Sequence, residues 1–180
     1  GPGPGELLIY ENEIYVARTY YDEDWNAYYG TSRIDSNENI QIVSYGAGSA
    51  CGGGIYSYSG EIYRVYNGGI AKLDNELQII PDSRLGDYNP EEVYSTEIIG
   101  DKIYFGLSDF TAPDDVAVVD FNGNEIARYL VGALPGDFAV WNSCLNNGDI
   151  NSDGFLNISD IVTIVYLILD QAEYNCTADV

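Results

Sequence analysis

The run Asp149-Ile150-Asn151-Ser152-Asp153-Gly154-Phe155-Leu156-Asn157-Ile158-Ser159-Asp160 sets oxygen donors at a spacing that suits a metal ion. Asp149, Asn151 and Asp153 alternate, so their side chains converge as the chain curls. Gly154 permits the sharp turn that follows. Phe155 offers its backbone carbonyl, and Asn157 offers a side-chain oxygen or holds a bridging water. Asp160 closes the loop from the start of the next element, eleven residues after Asp149. About six to eight hard oxygens at flexible geometry are what Ca2+ takes. The expected cofactor is therefore Ca2+, with Asp149, Asn151, Asp153, Phe155, Asn157 and Asp160 as ligands.

The element that must hold the closing carboxylate is a helix. Ile161-Val162-Thr163-Ile164-Val165-Tyr166-Leu167-Ile168-Leu169 reads as one, short and strongly apolar. Taken together, the Asp-x-Asn-x-Asp-Gly opening, the closing Asp in place of the Glu of calcium sensors, and this helix resemble the dockerin repeat, an EF-hand-like module. Dockerins carry a pair of repeats; here Ala178-Asp179-Val180 matches only the opening of a second. The resemblance implies a calcium-loaded module over 143–180 and a protein partner engaged through it. Asn157-Ile158-Ser159 also fits an N-glycosylation sequon, but a calcium ligand accounts better for Asn157.

The preceding residues repeat. Ile-Tyr pairs at 14, 62 and 103 each open a strand after a polar turn: Glu11-Asn12, Ser59-Gly60 and Gly100-Asp101. A second strand ends at Asp35, Asp74 or Asp120, followed by an Asn- or Gly-bearing turn and a last strand (Ile40-Gln41-Ile42, Leu77-Gln78-Ile79-Ile80, Glu125-Ile126-Ala127). In the first unit a long insertion separates Val16 from Arg33. Short strands at this period, with tight turns, resemble β-propeller blades. The corner Gly132-Ala133-Leu134-Pro135-Gly136 is similar to one in secreted seven-bladed propellers. About three blades fit, fewer than the four of the smallest propellers. Fragmentation, an open β-domain and completion by neighbouring chains all remain open.

Composition narrows the chemistry. The chain has 29 acidic and 7 basic residues, a net charge of −22, and no His or Met. That balance repels nucleic acid and anionic membranes. Without His, zinc hydrolysis and His-based triads are excluded for this chain alone. Carboxylate pairs remain, from loop clusters such as Asp22-Glu23-Asp24 and Asp114-Asp115. Asp35-Ser36-Asn37-Glu38-Asn39 and Asp120-Phe121-Asn122-Gly123-Asn124 open like calcium loops, but their closing places fall at Gly46 and Val131, so they read as hairpin turns. The Gly-rich stretch 46–54 lacks the Lys and following helix of a phosphate cradle. The tyrosines, Tyr15, Tyr20, Tyr21, Tyr28, Tyr29, Tyr56, Tyr58, Tyr63 and Tyr66 among them, suit sheet packing or a carbohydrate-stacking platform. Cys144 and Cys176 bracket the calcium loop and its helix and are expected to form a disulfide, which implies an oxidising compartment. Cys51 is left over. No apolar run reaches the roughly 20 residues of a membrane span.

The expected fold is mainly β: a Gly/Pro arm over 1–5 that reads as a trimmed or engineered end, propeller-like repeats over 6–142, and a helical calcium module over 143–180. The expected function is that of a secreted, extracellular or cell-surface, non-catalytic calcium-binding protein, structural or for attachment. It would bind a protein partner through the dockerin-like end, or its own copies in a filament, with no nucleic acid and no membrane insertion. The alternative is a fragment of a secreted dockerin-bearing propeller enzyme or of a carbohydrate-binding propeller.

Overall fold

The computed structural model describes residues 3–48, 53–140, 155 and 157–169. The chain divides into two compact units, Gly1–Ala139 and Val140–Val180.

The first unit is built from antiparallel meanders. Strands β1 (Gly3–Tyr10), β2 (Glu13–Tyr21), β3 (Ala27–Ile34) and β4 (Ile40–Ala47) pair in chain order. A second sheet holds β5 (Ile55–Tyr58), β6 (Glu61–Tyr66) and β7 (Gly69–Lys72), and a third holds β8 (Val93–Ile99), β9 (Lys102–Leu107), β10 (Asp114–Asp120) and β11 (Glu125–Val131). The three sheets do not close on one another. β1 begins inside the Gly/Pro stretch.

Two kinds of turn recur between the strands. The first is a two-residue turn with both residues at positive φ: Glu11-Asn12 at 50° and 63°, Ser59-Gly60 at 51° and 84°, Asn67-Gly68 at 44° and 77°. That geometry matches the right-handed twist of the strands it joins. The second kind is led by Asp22, Asp35, Asp74 and Asp120. In each, the aspartate Oδ1 accepts the backbone N–H groups two and four residues on, at 2.8 to 3.0 Å. The fourth residue takes positive φ (Trp25 65°, Glu38 65°, Leu77 61°, Gly123 86°). The fifth residue of the Asp22, Asp35 and Asp120 turns is an Asn whose amide donates to the Asp Oδ2. This hydrogen bonding is why each repeat needs an Asp at the end of its strand.

The Asp22 turn also removes the expected insertion. β2 and β3 form one long hairpin, Tyr21 opposite Ala27, with the Tyr20 and Tyr28 rings stacked 5.4 Å apart. The second sheet lacks the expected fourth strand. Leu73 bridges Ile79, but Pro81 follows, and a 3-10 turn, Pro81–Ser83, takes over. Proline has no N–H to extend the ladder. Asp114 and Asp115 lie on β10 rather than on a loop.

The middle sheet is covered on both faces. Tyr63, Val65 and Ile70 pack against Ile103, Phe105, Leu107 and Val119 of the third sheet. Ile55 and Leu73 pack against Tyr15 and Ala17 of the first. The leading strands approach one another, β1 beside β5 and β5 beside β8. The end faces of the stack differ. On the third sheet, the Ser95 hydroxyl donates to the Pro135 carbonyl and Phe138 packs on Tyr104 at 5.8 Å. On the first sheet, register aligns Ile9, Ile14, Ile34 and Ile40 in one row and Leu7, Val16, Ser32 and Ile42 in the next. Leu7, Ile9, Ile40 and Ile42 are 62 to 77% exposed.

In the second unit a helix, α1, spans Ile158–Ile168, starting three residues before the expected apolar run. Among the described residues, no helix is long and apolar enough to cross a membrane.

The Asp-led turns generate an acid-pH prediction. Hydrogen bonds from Asn26, Asn39 and Asn124 hold the carboxyls of Asp22, Asp35 and Asp120 below the ordinary 3.8, Asp120 at about 2. A depressed folded-state value means the stabilisation is present above pH 3.8 and lost as pH falls through about 2. Asp120→Ala is expected to lower the urea midpoint at pH 7. The gap from the wild type should narrow as pH drops from about 4 to about 2; a gap independent of pH would show that the carboxylate charge contributes nothing.

Candidate metal centre and carboxylate cluster

Of the six expected calcium ligands, Asp149, Asn151 and Asp153 lie outside the described residues, as do Cys51, Cys144 and Cys176. Phe155, Asn157 and Asp160 are described. Asn157 precedes α1 and caps it: its Oδ1 accepts the Ser159 N–H at 2.8 Å, and its amide donates to the Phe155 carbonyl at 3.1 Å. Asp160 reaches back, and its Oδ2 accepts the Asn157 N–H at 2.8 Å. The arrangement is like a capping box, with Ser159 rather than Asp160 donating to the Asn157 side chain. Asp160 is 3% exposed although Ile158, Ile161, Val162 and Val165 beside it are 45 to 70% exposed. Local capping thus turns its carboxylate back to Asn157. Among the described residues no group of three or more His, Cys, Asp or Glu side chains is gathered for a metal.

The other acid-bearing segments resolve into structural roles. Asp22, Asp35 and Asp120 cap hairpin turns, so the two sequences that open like calcium loops are turns. Asp114 is buried at 4% exposure and accepts the Leu134 N–H at 2.6 Å. Asp115 pairs with Arg128 at 3.1 Å. The tyrosines do not share one platform: Tyr15, Tyr56 and Tyr63 are in the cores.

Two features had no sequence signal, because separation along the chain hides them. The first is a recess of about 360 Å3 where the leading strands meet, lined by Glu6, Glu97 and Asp137 with Ser95 and Thr96. Burial pushes the carboxyls of Glu6 and Glu97 above their ordinary value, and the charge of Asp137 adds to the shift. Glu6 also accepts the Ile55 N–H at 3.3 Å. Tyr56, beside it, donates its hydroxyl to the Thr96 carbonyl at 2.5 Å.

The second is Arg64, on β6, with no exposed surface. Its Nη1 donates to the Gly54 carbonyl at 3.1 Å, while Nε and Nη2 have no hydrogen-bond partner among the described residues. Burial lowers its proton affinity; Tyr45, Tyr56, Tyr29 and Glu6 oppose that shift electrostatically. Both faces of β6 are covered, so Arg64 is buried along with Tyr63 and Val65, an unusual place for a guanidinium.

A buried cation with two unmet donors costs more than an apolar chain of similar length. Arg64→Met is expected to raise unfolding stability by about 1–2 kcal/mol, and Arg64→Ala to lower it by about 2–4 kcal/mol through the cavity it leaves. Chemical denaturation measures both. A loss in the Met variant would show that attraction to Glu6 outweighs the unmet donors.

No family model matches the chain, and no curated protein is significantly similar to it.

Proposed function

We propose that this chain is a secreted, non-catalytic calcium-binding protein of the extracellular space or cell surface, with a structural or attachment role. In this reading the three meanders are propeller-like blades and residues 143–180 form a dockerin-like, EF-hand-type calcium module. Asp160 is the observation that carries the calcium reading. Besides capping the helix, its carboxylate is buried in a first turn whose neighbouring apolar side chains are exposed, and that is the place of the closing ligand in a calcium loop. The N–H of Asn157, itself one of the expected ligands, donates to that carboxylate and keeps the two side by side.

The blade reading draws on the approach of β1, β5 and β8, as expected where leading strands surround an axis. The role as a scaffold draws on the apolar sheet face and on the engagement of Asp22, Asp35, Asp114, Asp115 and Asp120 in turns and pairs. Bound calcium would stabilise the second unit by mass action, and millimolar extracellular calcium fills even weak sites.

A second reading, a fragment of a ligand-binding or catalytic propeller, draws on the recess at Glu6, Glu97 and Asp137. Glu97→Gln separates the two. In a scaffold the substitution only relieves a buried charge. The raised carboxyl contributes stability below its ordinary 4.5 that is lost as pH rises through the folded value. The variant should therefore melt slightly higher than wild type at pH 7 and equally at pH 4. Loss of binding across a panel of soluble glycans would favour the second reading.

Titration of the full chain with Ca2+ by calorimetry tests the calcium module. One ion per chain is expected, with slower proteolysis of the second unit. Asp160→Ala should weaken binding about tenfold or more. No heat and no calcium-dependent protection would overturn this reading.

A further inference from the structure

We propose that the outer face of the β1–β4 sheet is a self-association surface, on which a second copy of this chain packs face to face. This specifies the surface for the structural role proposed above; it uses none of the calcium ligands.

The two aliphatic rows cross all four strands, and seven of their eight positions are Leu, Ile or Val. The outward positions of β2 beyond them carry Arg18 and Tyr20, and those of β4 add Ser44. None of the 29 acidic residues stands in the rows or at these positions. In a chain of net charge −22, these positions are free of acids. The far end of the stack is finished by the chain's own Pro135 and Phe138. Among the described residues the near end has no such cover, since Ile9 is 77% exposed and Ile42 64%.

Three observations favour a second copy as the occupant. Register is unbroken through both rows, with strands about 4.8 Å apart, and such an open sheet face suits another sheet face about 10 Å away better than a groove-seeking helix. From the strand spacing and rise, the whole four-stranded face projects to roughly 500 Å2, about half of it the two aliphatic rows. Side-chain relief and a rim bring that toward the ~800 Å2 per partner of a stable interface. The charge balance points the same way. A foreign partner recognised by its basic groups would seek acids, and this face has none. Two copies that repel through their acids can meet closely only where acids are absent, and a two-fold axis presents identical rows to each other.

The test is molar mass of the full chain by light scattering and sedimentation. It should be run in calcium and in chelator, at about 0.5 M salt so that the screening length falls below the ~8 Å of physiological conditions. A concentration-dependent dimer is expected in both. Ile9→Lys with Ile42→Lys should raise its dissociation constant about 100-fold, with an unchanged circular dichroism spectrum. Ile126→Lys on β11, 49% exposed, should leave it unchanged. If the lysine pair disturbs the sheet, Ile42→Ser must still weaken the dimer. A monomer at every concentration overturns the proposal. So does a dimer indifferent to Ile9 and Ile42; if such a dimer were lost on chelation, the calcium module would be the joint, leaving the proposed function standing and this face wrong.

Discussion

The middle sheet, β5 to β7, must be covered on both faces, and the rest of the first unit follows from that constraint. Val65 and Ile70 face one neighbour while Ile55 and Leu73 face the other. Three short strands cannot bury two apolar faces alone. The flanking sheets are therefore required, and each then has an inner face that is satisfied and an outer face that is not. One outer face is covered by the residues that follow β11. The other remains an aliphatic surface. Arg64 sits on the side of the middle sheet that faces the first sheet, where burial leaves two of its donors unmet.

Charge has a structural use here as well as a solvating one. The Asp-led turns place carboxylates where backbone N–H groups converge, so some of the acidity closes hairpins rather than binding ligands. The same chemistry misleads a reading for metal sites: an Asp followed by Asn at alternate places opens a calcium loop and an Asp-capped turn alike. The closing position tells them apart. After Asp35 and Asp120 no carboxylate arrives, whereas after Asp149 the chain supplies Asp160, capped and buried at the start of a helix.

The candidate calcium loop and the candidate association face are independent devices. One depends on the local order of a dozen residues and on a capping box. The other depends on register across four strands. Both suit a protein whose role is to hold something in place, and neither needs a nucleophile or an acid–base pair.

What the sequence by itself determined was local: hairpin turns, strand alternation, the Asp that ends each repeat, and the helix after the candidate loop. These depend on neighbours within a few residues, where φ preferences and capping act directly. It misjudged the first repeat, where a long hairpin closed by Asp22 looks like an insertion, and the second repeat, where Pro81 cuts short the strand expected from Leu77 to Ile80. Asp114 and Asp115 read as loop acids because the pattern of β10 does not show its partners. Tertiary structure alone decided which face of each strand is covered. Ile9 and Ile42 have the same alternation as the buried Val65 and Ile103, and only stacking makes the first pair outward and the second inward. The gathering of Glu6, Glu97 and Asp137, and the burial of Arg64, likewise required strands far apart in sequence to meet, because desolvation depends on what closes over a group and not on its neighbours along the chain.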